Sequence, residues 1–319
     1  MQTIPVFFSV DEHYVPYLAV ALNSIKANAS KHYSYHIHIL NDNISRESKS
    51  RLKSLEEENF SLEFISLTDK LKCLDGLRNH RFEAFSSLSI YFRLFIPMLF
   101  PQYDKAIYLD ADIVVPGDIS DLWGEPLGNN LIGAVADYSI QHIAPFMRYI
   151  DEYVGVDHRK YVNSGVLLMN LKRLREVDIA GRFMSWMSKY SLGTVAPDQD
   201  YLNALCWNGI MYLDPSWDAM PGGSFTSFES PMIIHFNLGA KPWLNDSVPY
   251  DEVFWKYACT SGFYDEIRAR RYKFLHSADA ERKYRNAIDG LVKLAAELTE
   301  SAVSFRSIIS SRKELRLCC

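Results

Sequence analysis

Two aspartates stand two residues apart at the end of an apolar run, in AIYLDADIVV (106–115). Burying one carboxylate is costly and burying two of like sign is worse, so Asp110 and Asp112 call for a counter-charge. The small Ala111 between them leaves room for a cation, and residues i and i+2 of a continuing strand face the same side. Oxygen-rich sites suit Mg²⁺ or Mn²⁺, and such an ion neutralises both carboxylates and bridges phosphate oxygens. The triplet alone does not decide the matter, because D-x-D arises by chance and a capping or turn pair is the plain alternative. The buried run ahead of it favours the metal. A second stretch, HFNLGAKPW (235–243), places an imidazole at His235 and, past Gly239, an ammonium at Lys241. The imidazole is compatible with a Mn²⁺ site and the lysine suits a diphosphate. Taken alone, this stretch reads more simply as a satisfied strand-end histidine and a surface lysine.

The elements that must position these residues follow from periodicity. IPVFFSV (4–10) reads as a buried strand and residues 14–28 as a helix with apolar residues at Leu18, Ala21, Leu22 and Ile25. SYHIHIL (34–40) alternates like a strand, and 44–59 reads as an amphipathic helix capped by Ser45. A strand at 61–67, a helix at 86–100 and the strand AIYL continue the alternation. This order predicts an α/β fold with an open, mostly parallel sheet and helices on both faces. Ligands then sit at the carboxyl ends of the strands. Asp11, after the first strand, and Asp110 with Asp112, after the fourth, fall on that edge. Further on come a strand at 131–137, ending in Asp137, and a strand with a small-residue turn Asn163-Ser164-Gly165 followed by a helix. A helix from Pro197 has acidic residues in its first turn, and a strand leads to His235.

The 319 residues are enough for one large domain with a smaller appendage. We expect a main domain over 1–262 and a basic helical tail over 263–319. From Arg268 onward twelve Lys/Arg face six Asp/Glu, whereas the whole chain carries −5, so an acidic body ends in a basic tail. Nothing in the overall charge advertises nucleic-acid binding. The tail suits an anionic membrane surface or is simply a solvated helical face. Within it, Tyr284, Ile288, Leu291, Ala295, Leu298 and Ala302 recur at helical spacing, a face that seeks the body, another subunit or lipid. The five cysteines, Cys73, Cys206, Cys259, Cys318 and Cys319, show no CxxC spacing, which points to reduced thiols in a cytoplasmic protein. The opening apolar run is too short for a secretory leader, and no run of eighteen apolar residues occurs.

Together AIYLDADIVV, NSGVLLMN, PDQDYLNA and HFNLGAKPW resemble, in order and approximate spacing, glycosyltransferase family 8. The likeness spans about 4–245. It implies a Rossmann-like fold of the GT-A type and retaining transfer of a hexose, galactose or glucose, from a UDP-sugar. Its bacterial members include lipopolysaccharide galactosyl- and glucosyltransferases, so the implied acceptor is a cell-surface glycan, lipopolysaccharide or capsule precursor, with a glycosylated protein as the alternative. The basic tail would hold the enzyme peripherally on the inner face of the membrane. The resemblance implies Mn²⁺, or Mg²⁺, held by Asp110, Asp112 and His235, with Lys241 and Gly239 near the donor phosphates. Ser9, Asp11 and Tyr14 would hold uridine, Arg93 and Ala111 the donor, and Asp137, Asn163 and Ser164 the sugar. Asp198 and Gln199 would lie at the reacting carbon. Gln199 holds the place of the family's best nucleophile candidate, yet an amide is a poor nucleophile. Front-face attack assisted by the leaving phosphate is the expected route, with Gln199 and Asp198 positioning the sugar. Relatives commonly carry glycine three residues after the histidine, where this chain has Leu238. Acceptor contacts are expected from 138–160 and 215–230. Two other readings stay open. A nucleotidyltransferase also uses paired carboxylates, but SVDEHY replaces its glycine-rich loop. A catalytically weak sugar-nucleotide-binding protein is disfavoured by the intact Asp110, Asp112, His235 and Lys241.

Overall fold

A computed structural model of the protein describes residues 1–66, 88–222, 228–277 and 280–311. Cys73, Cys318, Cys319 and part of the expected acceptor segment 215–230 lie outside the described residues. Nine strands are described: β1 (Gln2–Ser9), β2 (Tyr33–Asn41), β3 (Phe60–Ser66), β4 (Ala106–Leu109), β5 (Ile113–Val114), β6 (Ile132–Ala134), β7 (Val166–Met169), β8 (Ile210–Tyr212) and β9 (Ile234–His235). Seven form one sheet in the order β3-β2-β1-β4-β7-β6-β8, while β5 and β9 pair antiparallel beside it.

The sheet is mostly parallel, as its helix-strand alternation predicts. β7 is the exception, running antiparallel to both β4 and β6. That reversal matters for function. A parallel strand brings its end to the ligand edge, but β7 brings its beginning. The turn Asn163-Ser164-Gly165, which precedes β7, therefore meets the end of β4, and the Asp110 amide donates to the Gly165 carbonyl at 2.7 Å.

Strand alternation sorts the side chains onto two faces. Val6, Phe8, Ile37, Ile39, Ile107 and Leu109 pack with helix Val15–Asn28 and with Trp243, Phe254 and Phe263. Phe7, Leu40, Tyr108, Leu167 and Met169 pack on the other face with helix Phe92–Leu99 and with Phe183, Trp186 and Tyr201. The result is a sheet between two helical layers, each closing its own apolar core.

Several elements differ from their predicted bounds. The helix after Ser45 runs only over Arg46–Lys53. Ser45 does cap it, its hydroxyl accepting from the Ser48 amide at 3.1 Å, but the chain must turn early to enter β3, and Glu56 accepts from the Leu62 amide at 2.9 Å. The segment at 86–100 is described as a 3₁₀ turn (Leu88–Tyr91) followed by an α-helix (Phe92–Leu99). The strand at 131–137 shrinks to three residues, and the strand leading to His235 ahead of its Gly/Pro loop to two.

The apolar face of the tail packs on the body. In helix Ala280–Thr299, Ala295 is fully buried, and Leu291, Val292 and Leu298 pack on the second core with Phe305 and Ile308 of the helix that follows. Ala302 is exposed. Phe263 and Ile267, just past the expected boundary at 262, are buried in the first core. Among the described residues no helix is long and apolar enough to cross a membrane. Cys206 is buried and Cys259 exposed, both as free thiols.

Candidate active site

The end of β4 delivers the two aspartates. Beyond Leu109 the strand stops, and β5 resumes at Ile113 opposite His235 in β9. This cross-strand register brings His235 to Asp110 and Asp112 across more than 120 residues of sequence. One ligand atom from each of the three lies within 4.8 Å of the others. The His235 Nε2 is 3.4 Å from Asp112 Oδ1 and 4.0 Å from Asp110 Oδ2. Its Nδ1 is 2.9 Å from Asp218 Oδ1. Asp218 is fully buried. A carboxylate behind one ring nitrogen fixes the ring and leaves the other nitrogen to face outward, the arrangement that orients metal-ligating histidines.

Gly165 makes this convergence sterically possible. A Cβ there would lie 2.3 Å from His235 Cε1 and 2.8 Å from Asp110 Oδ2. Two carboxylates and an imidazole converging within 4.8 Å fit a small divalent cation such as Mn²⁺ or Mg²⁺.

Cations of the chain balance the same carboxylates. Lys241 Nζ donates to Asp112 Oδ2 at 2.5 Å and to the Phe236 carbonyl at 2.9 Å. Burial works against the Asp112 carboxylate, but the Lys241 ammonium and His235 outweigh it and hold its pKa well below the ordinary value. Burial likewise disfavours a charged His235, yet Asp218 and Asp112 hold its pKa well above the usual one. Arg93 is buried in the helix after the 3₁₀ turn. It donates to Asp110 Oδ1 at 2.9 Å and to the Ser164 carbonyl at 2.5 Å, with Asp198 Oδ2 2.9 Å from its Nε. The Tyr108 hydroxyl also donates to Asp110 Oδ1, at 2.9 Å, and the guanidinium lies over its ring.

Two cavities open from the aspartates. The first, of about 310 Å³, is lined by Ser9, Asp11, Tyr14, Arg93, Ala111, Asp110 and Asp112 among others. All seven are residues singled out from the sequence. Asp11 Oδ1 accepts from the Tyr14 amide at 3.0 Å, which holds the turn that starts the helix Val15–Asn28. The second, of about 230 Å³, shares Asp110 and Asp112 and adds Asp137, Asn163, Ser164, Gln199 and His235. Its far wall is apolar: Ile140, Phe146, Ile150, Val195, Leu238 and Leu291. The segment 138–160 thus reaches the cavity, and so does the tail helix through Leu291.

Within the second cavity the side chains are tightly tied. Gln199 Oε1 accepts from the Ser164 amide at 3.0 Å, and its Nε2 donates to Asp137 Oδ2 at 2.9 Å. Asn163 donates to the same Asp137 oxygen at 3.1 Å, while the Ser139 hydroxyl binds the other. Asp200 accepts from the Tyr149 and Tyr161 hydroxyls at 2.8 and 2.7 Å and from the Val195 and Ala196 amides, each at 3.1 Å.

Asp198, expected at the reacting carbon, and Gly239 and Lys241, expected near the donor phosphates, line neither cavity. Asp198 instead pairs with Arg93 and accepts from the Ser164 hydroxyl at 2.9 Å. Burial raises its pKa despite Arg93. The Gly239 carbonyl accepts from Asn245 Nδ2 at 2.5 Å and from the Lys241 amide at 2.8 Å. Asp218, Tyr108, Ser139 and Asn237 stand against these side chains and escaped the sequence reading, and Gly165 was read only as a turn residue. Tyr108 was within reach of that reading, since period two places it on the Asp110 face of an apolar strand.

Known proteins agree with this geometry. The sequence model of glycosyl transferase family 8 matches residues 5–247. A putative glycosyltransferase of Haemophilus influenzae is 28% identical over 69% of this chain and 64% of its own length. The lipopolysaccharide 1,2-glucosyltransferase of Escherichia coli K12 is 27% identical over 76% of this chain and 73% of its own. Among solved structures, the bifunctional glycosyltransferase WbbM superposes with a TM-score of 0.72 at 26% identity, covering 84% of this chain and 52% of that one. The galactosyltransferase LgtC, in complex with donor and acceptor sugar analogues, gives 0.64 at 25% identity, with coverage of 81% and 96%. The chain therefore spans about half of WbbM and just under two thirds of the Haemophilus protein. The fold is that of the GT-A glycosyltransferases. The chain belongs to glycosyl transferase family 8.

Proposed function

We propose that the protein transfers a hexosyl group, galactosyl or glucosyl, from a UDP-sugar to a glycan acceptor with retention of configuration, aided by Mn²⁺ or Mg²⁺. The observation that carries this reading is the convergence of His235 with Asp110 and Asp112, the two aspartates that both cavities share, and the pairing of Lys241 with Asp112. When bound, the divalent cation neutralises charge that develops on the leaving diphosphate. Asp110, Asp112 and His235 would hold it, and Asp218 keeps the His235 Nε2 aimed at the site. Lys241 gives its ammonium to the same phosphates, a fixed charge where negative charge grows. The 310 Å³ cavity takes the nucleotide, with Tyr14 against the base and Asp11 at its edge. The 230 Å³ cavity takes the sugar and the acceptor hydroxyl.

Retention then depends on what faces the anomeric carbon. Double displacement needs a carboxylate free to attack. In the second cavity Asp137 and Asp200 have both oxygens engaged by donors, and Gln199 offers an amide. This supports front-face attack. The acceptor oxygen bonds to the anomeric carbon as the bond to UDP breaks, and its proton passes to the departing phosphate oxygen. Gln199 and Asp137 orient the sugar, and Asp198 acts through Arg93 as a positioning residue. The lipopolysaccharide relatives support a bacterial surface glycan as acceptor, and the basic tail suits the cytoplasmic membrane face as workplace.

The test is hydrolysis of UDP-glucose and UDP-galactose by the purified chain, with and without Mn²⁺. Asp112→Asn should lower turnover by at least about 10³-fold, since a metal supplies several kcal/mol at the transition state. Equal turnover in a chelator, or an Asp112→Asn protein that keeps its rate, would refute the reading. A fluorinated donor that left a covalent adduct on Asp137, Asp198, Gln199 or Asp200 would replace front-face attack by double displacement.

A further inference from the structure

A second cluster of ligating side chains lies on the other half of the sheet and shares no residue with either cavity. His36 and His38 alternate on β2, so both project to one face, and Glu63 on β3 stands directly beside His38 in the register. Glu63 Oε2 is 3.0 Å from His38 Nδ1 and 3.5 Å from His36 Nε2. On the opposite edges of the rings, the Tyr103 hydroxyl is 3.1 Å from His38 Nε2 and 3.2 Å from His36 Nδ1. The two imidazoles, with centroids 4.2 Å apart, are thus held between one carboxylate and one phenol. His38 is buried and stacked on Phe7 at 4.6 Å, so its direction is fixed by the core.

We propose that His36, His38 and Glu63 form a binding site for a borderline divalent metal ion of the Zn²⁺ class. Three observations bear on the choice of ion. The ligand atoms lie within 4.8 Å of one another. Bonds of about 2.0–2.1 Å to nitrogen and oxygen can span such a set once the side chains draw together. Two imidazoles and one carboxylate form a nitrogen-rich set that suits Zn²⁺, whereas the carboxylate-rich set at Asp110 and Asp112 suits Mn²⁺ or Mg²⁺. Tyr103 completes the arrangement. If His36 Nε2 and His38 Nδ1 bind the metal, each ring keeps its proton on the other nitrogen, and both N–H groups point to one phenol oxygen with two lone pairs. Glu63 is about half exposed, which leaves water the fourth position. Bound there, the metal clips the edge strand β3 to β2.

The test uses the Asp112→Asn protein, in which the active-site cluster has lost a ligand, after treatment with a chelator. Calorimetric titration with Zn²⁺ should show one tight equivalent, and X-ray absorption at the zinc edge should show two imidazoles and one carboxylate. His36→Ala in that background should weaken binding by more than about 100-fold, and Tyr103→Phe by about 10-fold, as for groups that orient metal-bound histidines. Glu63→Gln, at an exposed position, gives the same test should His36→Ala fail to fold, with a loss of at least about 10-fold. The proposal is overturned if no stoichiometric Zn²⁺ binds, or if binding survives His36→Ala or Glu63→Gln. It is equally overturned if His158→Ala, in the separate group with Asp151 and Asp157, removes the equivalent instead. None of these outcomes depends on the transferase reading.

Discussion

The second cavity is walled by carboxylates on two sides, half-buried at the front and buried at the back, and the two sides neutralise them differently. At the front, Asp110 and Asp112 are met by charged partners: Arg93, His235 and Lys241. At the back, Asp137 and Asp200 are met by neutral donors: Asn163, Gln199, Ser139, two tyrosines and two backbone amides. The consequence shows in their acidity. Lys241 and His235 overcome burial at Asp112 and depress its pKa. At Asp200 burial prevails over the hydrogen bonds and pushes the carboxyl up to about 6. Charged partners leave a carboxylate ionised and able to exchange one cation for another, as the proposed metal and diphosphate would need. Neutral donors hold a carboxylate in one geometry, as the proposed sugar-binding wall would need.

The comparison breaks most readily at Gly165, because the front wall closes only if that position has no side chain. Gly165→Ala puts a Cβ 2.3 Å from His235 Cε1, and forcing such contacts in a packed site costs about 1–3 kcal/mol. We expect a lower urea midpoint together with loss of Mn²⁺-dependent UDP-sugar hydrolysis. A variant that kept both would mean that His235 and Asp110 have no need of their close approach. Asp218→Asn is the gentler break. It keeps a polar partner on His235 Nδ1 but removes the charge, so Mn²⁺ affinity should fall about 10–100-fold with little loss of fold, read by titration of activity against Mn²⁺. Unchanged affinity would make Asp218 a structural carboxylate only.

The back wall is tested by pH. The Asp200 carboxyl, ordinarily near 3.8, titrates at about 6 in the fold. A raised carboxyl pKa favours the protonated fold, so its contribution is largest below the ordinary value and declines as pH rises from about 4 to about 6. Two units correspond to about 3 kcal/mol. Asp112 has the opposite sign: its stabilisation is present above the ordinary value and is lost as pH falls below it. Urea midpoints of wild type and Asp200→Asn between pH 4 and 7 should therefore converge or cross as pH rises, with the wild type losing ground. A difference that stayed flat across that window would show Asp200 ionised in the fold and the two walls electrostatically alike.

How much of this was legible in the sequence follows the same division. Asp110 and Asp112 announce themselves because carboxylates interrupt an apolar strand, a local signal, whereas His235 and Lys241 gained their meaning only from the family resemblance of the motifs taken together. Asp11 follows from the rule that ligands gather at strand ends, once β1 is recognised, whereas Ser9 and Tyr14 rest on the family resemblance. Asp218 carries no such mark. It reaches His235 through an isolated bridge between Ala219 and Ile234, a long-range register that periodicity does not encode. Gly165 was visible as a turn residue, but its need to be glycine depends on a histidine seventy residues away. The direction of β7 was equally hidden, since alternation reads the same both ways, and with it the reason why a turn before a strand lies at the ligand edge. The tail helix showed its apolar spacing plainly, whereas its partner, the second core and the cavity wall at Leu291, is a property of the folded chain.

The smallest effect is expected at Leu238, which separates the two walls from the loop that carries Lys241. Its φ is +47°, in the left-handed region, at the position where relatives commonly carry glycine. A left-handed conformation costs a leucine about 1–2 kcal/mol, while glycine costs about 0.5–1 kcal/mol in chain entropy. The side chain is 45% exposed and so recovers little by burial. Leu238→Gly should therefore raise stability by less than about 1 kcal/mol, seen as a small upward shift of the urea midpoint. A clear fall would mean that the leucine's contact with the cavity outweighs its backbone strain, and would place the apolar far wall, rather than the phosphate loop, in control of that turn.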